Sequence, residues 1–189
     1  MSKYFRYFPE VVYTGKVVRD ITKRVRFHDT VGSNPYVFLP YTIKEGEKPE
    51  DVSHLYYGSV DYVWLIYLAN NIIDPFYDWP MTQDNLEKCI MDKYASNADA
   101  VGQAVLDWSR ATNTVDNVLH YQNIDGVKIS KETYTLGSTL TDNFTAVEWS
   151  PVRVYDYEFD RNEDRRNIQI VDRQYKDQMD RELKEVLNT

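Results

Sequence analysis

The segment from Val60 to Ala69 constrains this chain more than any other. Val60, Tyr62, Val63, Trp64, Leu65, Ile66, Tyr67, Leu68 and Ala69 define a helix with almost no polar face; Asp61 stands alone. A surface helix carries an apolar stripe on one side, so a helix that is apolar all round must be covered on more than one side. Further rings flank it, Tyr56 and Tyr57 before, Phe76, Tyr77 and Trp79 after. The uninterrupted apolar run, Tyr62 to Ala69, is eight residues, far short of the ~20 that span a bilayer. The opening MSKYFRYFPE has charge but no apolar h-region. The expectation is a soluble chain made in a cytosol, with no membrane partner, whose aromatic helix is buried by protein.

The pattern around that helix defines a unit over 41–81. Tyr41-Thr42-Ile43 reads as a short strand, and Lys44 to Lys48 as a polar turn containing Gly46. Pro49 suits the first helical position, where its missing N–H costs nothing. Glu50 and Asp51 follow in the first turn, complementing the helix dipole. Val52, Leu55 and Tyr56 share one helical face. Gly58 stops the helix by accepting a left-handed backbone, and Ser59 caps the next one. Asn70-Asn71 ends that second helix, and a short return strand is expected near Trp79. Strand, helix, helix and strand in this order imply an α+β fold.

The flanks are less regular. Residues 1–40 form an arm in which β-branched residues dominate VVYTGKVVRDITKRVRF, so extended structure is expected, with a turn at Thr14-Gly15. Gly32-Ser33-Asn34-Pro35 reads as a linker. In 82–149, Thr82 caps a helix over about 83–95, Ala98 to Trp108 is open to a helical reading, and Val118 to Phe144 reads as short strands. Asp125-Gly126, Gly137-Ser138 and Asp142-Asn143 mark its turns. In 150–189, Ser150-Pro151 begins a charged helix to about Arg166, Ile168, Ile170 and Val171 form a short strand, and Asp172 caps a last helix. That helix has a narrow stripe of Tyr175, Met179, Leu183 and Leu187. Eighteen of the thirty-eight residues from Val152 onward are charged, so this segment must lay its stripe against the domain or a partner.

The chain of 189 residues carries a net charge of −8, and that charge is uneven. Residues 1–31 hold seven Lys/Arg against three Asp/Glu, and residues 32–189 hold fifteen against twenty-seven. The acidic body repels phosphate, so nucleic acid is not an expected partner. The basic arm is compatible with phosphate or with an acidic protein. Its Tyr4, Phe5, Tyr7, Phe8 and Tyr13 favour the protein, since rings mixed with Arg are the usual make-up of protein interfaces.

Little in the sequence points to catalysis. His28, His54 and His120 lie in separate regions with no metal-ligand spacing, and the lone Cys89 sits beside Ile90 on a helix face. No P-loop, dinucleotide fingerprint or nucleophile elbow is present. Glu45, Glu47 and Asp74 flank the aromatic helices and are the carboxylates to watch for glycoside hydrolysis, against a reading as solvated turn residues. No catalytic residue, metal site or cofactor is expected.

The stretch YTIKEGEKPEDVSHLYYGSVDYVWLIYLANNI resembles a LysM module. With WLIYLANNIIDPFYDWP, and with the flanks YFPEVVYTGKVVRDITKRVRF and NPYVFLPYTI and the closing charged helices, it is more specifically similar to the LysM-like baseplate wedge protein of contractile-tailed, T-even-type bacteriophages. The resemblance implies a virion structural subunit made in the host cytoplasm. It implies one copy per wedge and six per ring, contacts with other wedge subunits and with hub or tail-tube proteins, clamping of the wedge's central helical bundle, and joining of neighbouring wedges. LysM modules bind N-acetylglucosamine polymers through loops that match residues 45–49 and 72–76 here. Gly46-Glu47-Lys48-Pro49 replaces the usual Gly-Asp-x-Thr-x-Leu turn, a departure that adds bulk and charge and counts against glycan binding; a peptidoglycan-binding module is the alternative, and a cell-wall hydrolase a third.

Val52, Leu55, Leu65, Leu68 and Trp64 are expected to form the module's core. The remaining rings exceed what forty residues bury internally, and each hides roughly 150–250 Å² when buried. Cover must come from the rest of the chain or from another subunit. The interface candidates are Tyr56, Tyr57, Tyr62, Trp64, Tyr67, Phe76, Tyr77, Trp79, Tyr175 and Met179.

Overall fold

The computed structural model describes residues 3–23, 25–27, 34, 36–140, 144 and 147–187. His28, most of the linker about Gly32 and the Asp142-Asn143 turn lie outside the described residues. The chain divides into two compact units, Met1–Pro80 with Arg165–Thr189, and Met81–Asp164. The second is therefore an insertion within the first.

Unit 1 opens with a helical turn α1 (Lys3–Arg6) and a hairpin, β1 (Glu10–Tyr13) and β2 (Lys16–Arg19). Thr14 (φ 50°) and Gly15 (φ 76°) are both left-handed, which lets a two-residue turn match the twist of its strands. Then come β3 (Phe38–Thr42), α2 (Pro49–Tyr57), a 3-10 turn (Val60–Tyr62), α3 (Val63–Ala69) and α4 (Pro75–Asp78). After the insertion follow β7 (Asn167–Val171), a 3-10 turn (Arg173–Tyr175) and α9 (Lys176–Leu187).

The local signals of the sequence act as expected. Pro49 is the first residue of α2, the Asp51 carboxylate accepts the Lys48 N–H, and Gly58 ends the helix at φ 76°. Ser59 accepts the Asp61 N–H and starts the turn into α3. The return strand is different. Trp79 follows the short helix α4, and β3 instead pairs antiparallel with β7, Leu39 opposite Ile170 and Tyr41 opposite Ile168. The bonds Asp172 N–H to Val37 O and Ile43 N–H to Arg166 O extend the same register. They fix the phase of the ladder: Pro40 and Gln169 face each other as a non-hydrogen-bonded pair, so their backbone groups point away from the sheet. On the β3 side, proline supplies no N–H. On the β7 side, the Asn70 side chain accepts the Gln169 N–H (2.8 Å) and donates to its carbonyl (2.7 Å). Both free edges of this sheet are thereby blunted.

The core of unit 1 contains Val52, Leu65 and Ile66 from the helix pair, Ile43, Ile168, Ile170 and Val171 from the sheet, and Met179, Leu183 and Leu187 from α9. Leu68 is half-buried against it. Leu55 is 68% exposed. Pro49, Val52, Ser53 and Tyr57 form the buried face of α2, and at 100° per residue Leu55 falls on the far side.

Unit 2 contains α5 (Gln83–Ala98), α6 (Gln103–Arg110), β4 (Val118–Gln122), β5 (Lys128–Ile129), α7 (Lys131–Leu140), β6 (Ser150–Arg153) and α8 (Val154–Asp164). Leu86, Ile90, Tyr94, Val105, Leu106 and Val154 form its core. The strands are ordered β5-β4-β6, with the Asp125-Gly126 turn between β4 and β5. Two expectations are corrected. Residues 131–140 are helical, because Ser130 accepts the Thr133 N–H and caps the start; Gly137 lies inside this helix because a Cβ there would come within 2.6 Å of the Phe144 ring. Ser150-Pro151 begins an edge strand, β6, where the missing proline N–H is harmless; the helix α8 begins at Val154. The ends of the insertion are clasped by the buried Asn162, which accepts the Met81 N–H (2.7 Å) and donates to the Met81 carbonyl (3.0 Å).

Candidate docking surface

Unit 1 sorts the aromatic candidates into three groups. Tyr57, Tyr62, Trp64, Trp79 and Met179 are buried. Tyr56, Tyr67 and Tyr175 are half-buried and packed against the core. Phe76 and Tyr77 are 86% and 61% exposed.

The cover over the first two groups comes from both ends of the chain. Tyr4 of α1 stacks on Trp64 with ring centroids 5.7 Å apart. The Arg173 guanidinium lies 4.8 Å over Tyr56, and the Lys176 ammonium 4.9 Å over Tyr62, placing cations on the electron-rich ring faces. Two of the buried rings, Tyr57 and Trp79, find partners for their polar atoms. Tyr57 donates to the Val171 carbonyl at 2.8 Å, and Trp79 Nε1 donates to the Glu47 carbonyl at 2.9 Å. Burial raises the Tyr57 hydroxyl pKa well above its usual value. Burial, with the Glu47 carboxylate accepting its hydrogen bond and adding its charge, pushes Tyr41 up to about 12. Burial and the nearby Glu50 charge do the same for Tyr67, to about 12. All three hydroxyls are neutral at ordinary pH, and Tyr41 and Tyr57 donate from them. Trp64 Nε1 is buried without a hydrogen-bond partner among the described residues.

The exposed rings stand on a fixed frame. In the segment after α3, the Asp78 carboxylate accepts the N–H groups of Ile73 (3.1 Å) and Asp74 (3.0 Å). Asp74 in turn accepts the Phe76 N–H at 3.0 Å. Two carboxylates thus hold three amides, and Trp79 anchors the base of the segment to Glu47. Outward from this frame project Ile73, 74% exposed, with Phe76 and Tyr77. Beside it, unit 1 holds a groove of about 1190 Å³ whose walls include Phe5, Phe8, Trp64, Leu68 and Ile73, with Lys23 and Arg26 along its length.

The carboxylates watched for hydrolysis serve local structure. Glu47 holds Tyr41 and the Lys44 N–H, Glu45 pairs with Arg166, and Asp74 caps α4. His54 lies in unit 1 and His120 in unit 2, while Cys89 is half-buried in α5. Among the described residues, no group of three His, Cys, Asp or Glu side chains is placed to hold a metal ion, and no helix is long and apolar enough to cross a membrane.

Unit 1 thus combines a buried aromatic core with exposed apolar side chains, and comparison makes the class specific. The family model of base plate wedge protein 53 matches residues 5–183, so the chain belongs to the family of phage baseplate wedge proteins, structural components of the virion tail. Among curated proteins, it is similar to the baseplate wedge protein gp53 of Enterobacteria phage T4, 24% identical over 99 residues. That match covers 48% of this chain and 50% of the T4 protein, so the chain spans about half the length of the curated relative it matches.

Proposed function

We propose that this chain is a non-catalytic wedge subunit that clamps the central helical bundle of its wedge and joins neighbouring wedges around the hub through protein–protein contacts, with six copies per ring. The observation that carries the reading is the Ile73–Phe76–Tyr77 projection. Apolar side chains fixed by buried anchors and carboxylate caps lose little conformational freedom on docking, and so bind more tightly for the same area. We further read β3, α2 and α3 as a LysM-like module whose return strand is β7. The antiparallel β3–β7 pairing supports this, and residues 81–164 then form an insertion ahead of that strand.

The test is a double substitution, Phe76→Ser with Tyr77→Ser. Both side chains are exposed, so the isolated chain should change in stability by no more than about 0.5 kcal/mol. Loss of two anchors at an interface typically costs ~2 kcal/mol or more each, so the yield of wedge complexes reconstituted with the other baseplate proteins should fall steeply. Wild-type yield refutes the reading. Retention of the wild-type chain on peptidoglycan sacculi, competed by chitin oligomers and lost in the double variant, would favour the glycan-binding alternative.

A further inference from the structure

Unit 1 carries two apolar features that its own fold leaves unused, a ribbon and a groove. In the β1–β2 ribbon, Val11 lies opposite Val18, Val12 opposite Val17 and Tyr13 opposite Lys16. Side chains alternate between the faces of a strand, so Val12 and Val17 stand on one face, and Val11, Tyr13 and Val18 on the other. Val12 and Val17 are 75% and 67% exposed, and Tyr13 is 69% exposed. Contiguous exposed apolar surface marks an interaction site, and this ribbon has it on both faces. It is also rooted. The Arg19 guanidinium donates to the carbonyls of Arg6 (2.7 Å) and Phe8 (2.9 Å) and pairs with Glu10 at 3.3 Å. That pair leaves Lys16, beside the tip, as the unbalanced charge within 10–19.

The groove has the size and lining for such an insert. At about 1190 Å³ it exceeds the ~300–1,000 Å³ of small-molecule sites, which suits a segment of chain. Phe5 and Phe8 line it from the N-terminal segment, and Val60, Tyr67 and Ile73 from around α3. Its charges fall on separate segments: Lys23 and Arg26 on the chain that follows the ribbon, Glu50 in α2 and Asp61 in the turn before α3. Glu50 is close enough to Tyr67 for its charge to raise the pKa of that hydroxyl, which sets a carboxylate beside an aromatic wall. The ribbon offers the counterparts of both signs, Lys16 across from Tyr13 at its tip and Glu10 at its root. Yet the ribbon does not enter the groove of its own chain. Phe8 and Ile21, at its foot, line the groove, and none of residues 9–20 between them does.

We propose that the β1–β2 ribbon of one copy inserts into the unit 1 groove of a second copy, with Lys16 against Glu50 and Tyr13 against Tyr67. A projection and its receptor on different parts of one surface make a heterologous contact between copies. This goes beyond the docking reading. It uses neither Phe76 nor Tyr77 and needs no other baseplate protein, so the purified chain tests it by itself.

The experiment is sedimentation equilibrium of the full chain from about 1 to 500 μM. The wild-type mass should rise above that of the monomer. Val12→Glu with Val17→Lys removes one apolar face while keeping opposite charges across the ribbon. Glu50→Lys with Val60→Lys sets cations in the groove against the incoming Lys16. All four positions are exposed. Each double variant alone should stay monomeric, and their equal mixture should form a one-to-one pair, because one keeps an intact groove and the other an intact ribbon. Lys16→Glu alone should weaken association about tenfold or more, and adding Glu50→Lys to the same chain should restore it. A wild-type chain that is monomeric throughout overturns the proposal. So does association that persists in either double variant, or a mixture that stays monomeric. If a double variant fails to fold, the exchange of Lys16 and Glu50 decides alone. A failed wedge reconstitution with the Phe76 and Tyr77 variants leaves this result untouched.

Discussion

The two units divide the physical tasks of the chain unevenly. Unit 2 contains seven basic against fifteen acidic side chains, a net of −8, which equals the net charge of the whole protein; unit 1 is neutral in sum. Unit 1 carries the exposed rings Phe5, Tyr13, Tyr36, Phe76 and Tyr77, whereas Phe159 is the one large exposed ring of unit 2 among the described residues. One unit is sticky and the other repels. Net charge keeps copies of a protein apart, and here it lies on the unit that exposes the fewer large rings. The units also share a device. Each has an asparagine amide clasping a backbone N–H and C=O from far along the chain, Asn70 on Gln169 and Asn162 on Met81.

The contrast can be broken most forcefully at Trp79. Trp79→Ala empties a core site and frees the Glu47 carbonyl, and should destabilise unit 1 by about 3–5 kcal/mol. Amide exchange in the cores of both units checks this: unit 1 should open while Leu86, Ile90 and Leu106 keep their protection. Equal loss in both units would show that they are one cooperative body. The asparagine clasps come next. Asn162 is buried and its removal leaves two part-buried Met81 backbone groups without their partner, so Asn162→Ala should cost about 2 kcal/mol; the half-buried Asn70 should cost about 1 kcal/mol when replaced by alanine. Denaturant midpoints would rank them, and a reversed order would contradict the burial argument.

The smallest effect concerns charge inside unit 2. Burial alone would raise the Glu158 carboxyl pKa, but hydrogen bonds from Lys93 (2.6 Å) and Tyr94 (2.7 Å), with the Lys93 charge, hold it below the 4.5 of a free glutamate. A depressed carboxyl stabilises the fold above its unfolded pKa and loses that contribution as pH falls through the folded value. Glu158→Gln should therefore cost about 1 kcal/mol near neutrality, since Lys93 is half exposed and screened. That difference should vanish in thermal melts well below pH 4.5. A gap that persists in acid would assign the effect to packing.

Much of unit 1 was legible residue by residue. Pro49, Gly58, Ser59 and Asp172 mark their elements because capping is local chemistry. The stripe Met179, Leu183, Leu187 and the strand Ile168–Val171 show by period alone. What the sequence hid was the partner of β3. The pairing of Leu39 with Ile170 spans more than a hundred residues, and no local period encodes it. Helix α7 was missed because Thr133, Tyr134 and Thr135 are residues of strand character, overridden by the Ser130 cap. The aromatic excess was visible, but which rings it would expose was not. Trp79 is buried because a carbonyl thirty-two positions earlier accepts its N–H, whereas Phe76, three residues before it, has no such anchor and faces out.

The insertion has a consequence for synthesis. Unit 2 is a continuous stretch, so all its core residues have been made before β7 is begun. Unit 1 cannot close until β7 and α9 have also emerged, because Val171 and Met179 belong to its core. A chain that stops before them would carry the acidic insertion on an incomplete unit 1 core. The last residues translated therefore decide whether the first ones have a core to pack against.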